Sequence, residues 1–173
     1  VISITTGMLE WGQKRFTRET NAHDRVFHQS QSAVAAPEDM AFWGDKGVDL
    51  NAPKTRLVWA GTLISDLDIQ TLLKAIEGLP DAATRELEFV FCGSGDLTLQ
   101  IEEMVKRLPH VVFAGWVSQG ALSALYARSH IGMMCYLERF DFQLSIPNKV
   151  ADFTRFSMRI LTNLQGEMPR VLE

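Results

Sequence analysis

The run Leu57-Val58-Trp59-Ala60-Gly61-Thr62-Leu63 is a short apolar segment that stops at a glycine. The same figure returns twice, in Leu87-Glu88-Phe89-Val90-Phe91-Cys92-Gly93-Ser94-Gly95 and in His110-Val111-Val112-Phe113-Ala114-Gly115-Trp116-Val117. Apolar runs of this length read as strands buried on both faces, which is the habit of a parallel sheet covered by helices. The segments between them have helical period. Residues 68–79 put Ile69, Leu72, Leu73, Ile76 and Leu79 on one face, and residues 96–108 turn Ile101, Val105 and Leu108 inward behind a capping Asp96. Ser118 opens a short helix carrying Leu122, Leu125 and Tyr126, and residues 131–135 make a fourth strand. Residues 148–156 read as a helix with Val150, Phe153 and Phe156 inward, and residues 158–161 as a fifth strand. Right-handed crossovers make this alternation an α/β fold, a Rossmann-like doubly wound parallel sheet. Ligands of such sheets bind beyond the carboxyl ends of the strands, so the loops after Ala60, Cys92, Ala114 and Cys135 carry the interest.

Outward from this core the chain is less regular. Residues 1–5 and 25–28 each read as a strand and residues 8–16 as a helix, whereas residues 29–54 carry no sustained period and read as a connection outside the core. Residues 1–24 are expected to be a linker or the tail of a preceding domain, and residues 25–173 the Rossmann-like unit. The chain opens on Val1-Ile2-Ser3-Ile4-Thr5 as if in mid-strand, and the expectation is a piece of a longer protein.

Composition narrows the function. At 173 residues, with 46% hydrophobic and 22% charged residues, the chain is of the ordinary globular class. A net charge of −4 gives no electrostatic case for nucleic acid. No apolar run is long enough to span a bilayer. Cys92 and Cys135 lie in apolar runs without metal-ligand spacing, and are expected to be free buried thiols in a reducing, cytoplasmic setting. There is neither a G-x-G-x-x-G fingerprint nor a P-loop, which argues against a dehydrogenase half or an NTPase.

The ordered set of motifs resembles the C-terminal domain of GT-B glycosyltransferases. The closest likeness is to the large retaining family that includes glycogen synthases and lipopolysaccharide and capsule transferases. Leu125-Tyr126 stands where that family ends a short helix in a Leu-Tyr pair, and Pro147-Asn148-Lys149 stands where a subset carries Pro-Asn-Lys. The likeness covers residues 56–163, while residues 1–5 and 8–16 resemble the last strand and helix of the family's N-terminal domain. It implies a nucleotide-sugar substrate, UDP- or GDP-linked, with no cofactor and no metal. It also implies an absent N-terminal domain that supplies the acceptor site and any peripheral contact with the inner face of the membrane.

By this resemblance Gly61 and Thr62 face the diphosphate with their amides, Gly93 and Gly95 approach the nucleotide, and Trp116 and Val117 present backbone to the base. The loop 136–146, with Tyr136 and Glu138, faces the donor sugar. Lys149 lies near the phosphates, Asn148 beside it is a further donor-binding residue, and Asp152 reaches toward the ribose. No catalytic residue is assigned. The family's phosphate-binding Arg and Lys are replaced by Thr62 and Leu67. The first of its two glutamates aligns with Leu144 and the second with Asp152, and its later glycine and proline with Ser157 and Arg159. Lys149, Arg155 and Arg159 are the cations left to neutralise a diphosphate.

Plainer roles compete at several of these positions. Lys149 and Asp152 fit a solvated helix face, and Glu138-Arg139 an exposed pair. Asp66-Leu67-Asp68 imitates a metal-binding D-x-D, but its place before a helix makes capping the better reading. His130 is expected to be structural, and His23, His28 and His110 form no catalytic or metal spacing. Trp59 and Phe91 are expected in the core. Two functions stand: the donor-binding half of a glycosyltransferase acting on a cell-surface glycan, and a degenerate, non-catalytic module that keeps the fold.

Overall fold

The computed structural model describes residues 2–17, 19, 21–27 and 37–172. A five-stranded sheet, parallel throughout, forms the centre. Its strands are β3 (Thr55–Ala60), β4 (Leu87–Cys92), β5 (Val111–Gly115), β6 (Ile131–Met134) and β7 (Arg159–Thr162), in the order β5-β4-β3-β6-β7. The chain winds outward from β3 to β5, then crosses to the other side of β3 for β6. The strand order therefore reverses between β3 and β6, where a doubly wound sheet opens a crevice at its carboxyl edge.

The alternation of side chains along the strands builds two cores. On one face Leu57, Trp59, Phe89 and Phe91 pack with α3 (Ile69–Glu77) and α5 (Thr98–Arg107). On the other, Val58, Ala60, Val90 and Cys92 meet α6 (Gln119–Tyr126) and α8 (Lys149–Arg155). Ser118 caps α6 as expected, accepting from the Ala121 amide. The short helices α4 (Asp81–Thr84), α7 (Phe140–Gln143) and α9 (Glu167–Leu172) complete the unit.

Three expectations are corrected. Asp96 does not cap α5: both its carboxylate oxygens are taken by the amide and hydroxyl of Ser65, and Thr98 Oγ1 accepts from Gly95 N instead. Asp68 precedes α3 without a capping bond, because its carboxylate accepts from Asn163 Nδ2 at 3.2 Å. Residues 37–54 are not outside the core. α2 (Ala41–Asp45) delivers a fully buried Trp43, whose indole donates to the Ala121 carbonyl, and Val48 and Leu50 follow it inside. A five-residue helix is too short to show a period, which is why the segment reads as irregular. Strand β2 (Arg25–Val26) pairs in parallel with β1 (Ile2–Ser3) and not with the large sheet. Helix α1 (Thr6–Arg15) follows β1 in the chain. His28 lies outside the described residues.

At the amino edge of the sheet, β3 carries a buried cation that sequence reading passed over. Arg56 is 1% exposed. Its guanidinium donates to the Glu88 carboxylate and to the backbone carbonyls of Asp49, Leu50 and Arg128. Its amide donates to His130 Nδ1 at 3.0 Å, so His130 is structural as expected. Trp59 and Phe91 are fully buried, Cys92 is buried, and Cys135 is only partly so.

Candidate functional site

At the opposite, carboxyl edge the first three loops are laced together by backbone. Gly61 N donates to the Cys92 carbonyl, Gly93 N to the Gly115 carbonyl and Leu63 N to the Ser94 carbonyl. The approach is closest at Gly93, where φ is +130° and an added Cβ would lie 1.9 Å from Gly61 O. At Gly95 a Cβ would lie 2.1 Å from Leu63 O. These two glycines are demanded by loop packing itself, before any ligand is considered.

The interlaced loops line a cleft of about 320 Å³, formed by Gly61, Thr62, Gly93, Ser94, Trp116 and Val117 over a floor that includes Cys92. Five of the residues singled out in the sequence thus meet in one place. Gly95 is not among the lining residues and serves packing. Trp116 is 78% exposed on the rim, while Val117 is buried. Burial pushes the Cys92 thiol up to about 12 and holds the Tyr126 hydroxyl well above its ordinary range, with the Asp152 carboxylate adding to the effect. Burial also raises the Asp152 carboxyl, and the nearby Arg155 opposes the rise. Asp152 lies on α8 and is not among the residues that line the cleft.

Lys149 stands at the switch point, where the strand order reverses. Its Nζ lies 4.1 Å above the centroid of the Trp59 ring and 6.0 Å from that of Tyr136. It is also 3.4 Å from where a Gly61 Cβ would be. No carboxylate pairs with it among the described residues. Burial pushes its ammonium down to about 8, the negative charge available to Cys135 acting the other way. The Gly61 amide is spent on the Cys92 carbonyl, so it is the cation, held by aromatic faces at the sheet's carboxyl edge, that is open to an anion.

The remaining predicted residues separate. Tyr136 and Glu138 line a second hollow of about 230 Å³ with Gln143, Asn163 and Gln165. Asn163 pins Tyr136 there: its Oδ1 accepts from the Tyr136 amide at 2.8 Å and its Nδ2 donates to the Tyr136 carbonyl at 2.9 Å. Asn148 faces away, into a hollow lined by Ile4, Pro147, Ala151 and Arg155. Arg159 begins β7 in register with Ile131, at the amino edge, and so is at the wrong end of the sheet to neutralise a ligand in the cleft. Leu67 is buried. Arg139, exposed, pairs with Asp141 at 2.9 Å and lies 3.6 Å from Asp66, across the mouth of the crevice. Asn163 escaped the sequence reading because nothing in its neighbourhood marks it; only the β6–β7 pairing brings it to Tyr136.

Among the described residues no group of metal-ligating side chains is found, and no helix is long and apolar enough to cross a membrane. No protein-family model matches the chain, and no curated protein sequence matches it. Solved structures are similar to it. WaaG, a glycosyltransferase involved in lipopolysaccharide biosynthesis, has 12% identity and a TM-score of 0.69, over 99% of this chain and 46% of its own. Anabaena HepE in complex with UDP has 11% identity and a TM-score of 0.70, over 98% of this chain and 46% of its own. The pneumococcal O-GlcNAc transferase GtfA, in complex with UDP and GlcNAc, has 16% identity and a TM-score of 0.57, over 96% and 30%. The chain has the Rossmann-like fold of GT-B glycosyltransferases and spans less than half the length of these structures.

Proposed function

We propose that this chain is the donor-binding half of a glycosyltransferase and holds a nucleoside diphosphate sugar along the carboxyl edge of its sheet. The observation that carries this reading is Lys149, an ammonium without a counter-ion among the described residues, set on Trp59 beside Gly61. A leaving diphosphate needs its developing charge met by cations or amides already in place. Thr62 and Leu67 supply none where the resembled family has Arg and Lys. Lys149 comes to the same crevice from α8, on the other side of the sheet, and offers one charge in their place. The neighbours solved with UDP and with UDP-glucose support a uridine donor as the first to try. Acceptor, partner domain and membrane association belong to the longer protein that this reading requires; a cell-surface glycan is the acceptor in this proposal.

The degenerate-module reading draws on one observation of its own. Leu67 is buried against the core and cannot be exchanged for a phosphate-binding lysine without rebuilding the β3–α3 turn. Thermal unfolding with UDP and GDP separates the two. Ligand at a hundredfold excess over its dissociation constant adds about 2.7 kcal/mol to the unfolding free energy. A transition unmoved by either nucleotide at millimolar concentration removes the donor-binding reading and leaves the module.

A further inference from the structure

The carboxyl edge has three stations in a row. The cleft lies at the ends of β3, β4 and β5, Lys149 at the boundary of β3 and β6, and the second hollow at the ends of β6 and β7. Four inter-strand steps at about 4.8 Å give the whole edge a span of about 19 Å. A nucleoside diphosphate sugar has its anionic segment in the middle. With that segment on Lys149, the nucleoside occupies the cleft between the glycine loops and the sugar falls in the hollow beyond Tyr136, whose ring is shared between Lys149 and the hollow.

The polar groups in that hollow differ in how far they are committed. Asn163 is engaged, its amide spent on the backbone of Tyr136 and on Asp68. Glu138, Gln143 and Gln165 make no side-chain hydrogen bond among the described residues, so one carboxylate and two amides stand free around a space of about 230 Å³. No lysine or arginine lines it. The nearest guanidinium, Arg139, is engaged with Asp141 and Asp66. Free amides and a carboxylate suit hydroxyl groups, which both donate and accept. An anionic sugar would bring its carboxylate towards Glu138 with no cation among the lining residues to offset the repulsion, and like charges facing each other disfavour binding.

We infer that the hollow at the ends of β6 and β7 selects an uncharged sugar and rejects a hexuronate, with Glu138 as the discriminating residue. This specificity rests on the donor-binding reading above. The test is calorimetric titration of the chain with UDP, UDP-glucose and UDP-glucuronate, repeated on Glu138→Gln. The expected result is UDP-glucose bound at least tenfold more tightly than UDP-glucuronate, with the gap narrowed to threefold or less in Glu138→Gln. Equal affinity for the two sugar nucleotides in the parent chain, with UDP binding, overturns the inference and leaves the donor reading standing. A gap that Glu138→Gln does not narrow overturns the role of Glu138. Failure of UDP itself to bind overturns both readings together.

Discussion

A cation lies at each end of strand β3, Arg56 within the strand at its amino end and Lys149 reaching over from α8 to Trp59 near its carboxyl end, and the two are built on opposite plans. At the amino edge Arg56 is closed in by Glu88 and three backbone carbonyls, so that its donors have partners and water has no access. Near the carboxyl edge Lys149 leans on the rings of Trp59 and Tyr136 and pairs with no carboxylate among the described residues. Trp59 repeats the contrast, since its buried indole N–H finds no acceptor among the described residues, whereas that of Trp43 donates to Ala121. A satisfied buried charge fixes the loop 49–50 and β4 to β3 and has nothing left to offer a ligand. An unsatisfied one costs desolvation in the free protein, and an anion recovers it.

The comparison is broken most severely at Arg56. Arg56→Met leaves the buried Glu88 carboxylate with only the longer contact to Lys54, at 4.0 Å, and takes the donor from three backbone carbonyls, and the expected loss of stability is about 3 kcal/mol by chemical denaturation. Replacing both partners, as in Arg56→Met with Glu88→Leu, should recover much of that loss, because neither charge is then left alone. A single variant as stable as the parent would contradict the closed-pair description.

Lys149→Met should behave in the opposite sense. Without ligand it removes a desolvated charge and leaves an apolar side chain on Trp59, so stability at pH 7 rises by about 1 kcal/mol. UDP affinity falls by roughly 10- to 100-fold, the worth of about 1.5–3 kcal/mol for a bond to a charged group. The same plan fixes a pH dependence. The folded-state value near 8 is below the ordinary lysine value. Between these two values the unfolded chain keeps a proton that the folded chain has released, so ligand-free stability rises with pH across that window. UDP affinity moves the other way, flat below about pH 7 and falling above 8 as the ammonium is lost. A titration of affinity from pH 6 to 9.5 that stays level would remove Lys149 from the anion site.

Ser157 gives the smallest effect and a control on the same helix. It sits just past α8 at φ +55°, with Met158 N returning to the Phe153 carbonyl, a helix ending that favours glycine. Ser157→Gly should stabilise by about 1 kcal/mol, since left-handed backbone costs a non-glycine residue roughly that much. Its UDP affinity should equal the parent's in the same titration, separating helix stability from anion binding.

The sheet was legible because each strand declares itself within a few residues and each long helix keeps one apolar face. What escaped is what depends on partners far along the chain. Trp43 reads as part of an aperiodic stretch until Ala121 meets it, and Asp96 reads as a cap until Ser65 claims both its oxygens. Arg56 looks like the polar start of a strand; its enclosure needs Glu88, Arg128 and the loop 49–50 at once. The candidate site was half legible. The glycine loops and Lys149 could be picked out, and the structure assembles them at one edge. Asn148, next to Lys149 in sequence, faces the other way because neighbours on a helix do not share a face. The charge lost at Leu67 and its counterpart at Lys149 are 82 positions apart, counting 149 − 67 in the sequence, so no local pattern connects them.

The mutual interlock of Gly61 and Gly93 bears on how such chains drift over generations. A side chain at Gly93 collides with backbone whether or not any ligand is ever bound, so selection for folding alone preserves it. Lys149 has no such protection, because losing it is expected to make the unliganded chain more stable. A lineage that gave up donor binding would therefore shed the lysine early and keep its glycines, and a census of glycines would go on naming it a transferase long after the activity was gone.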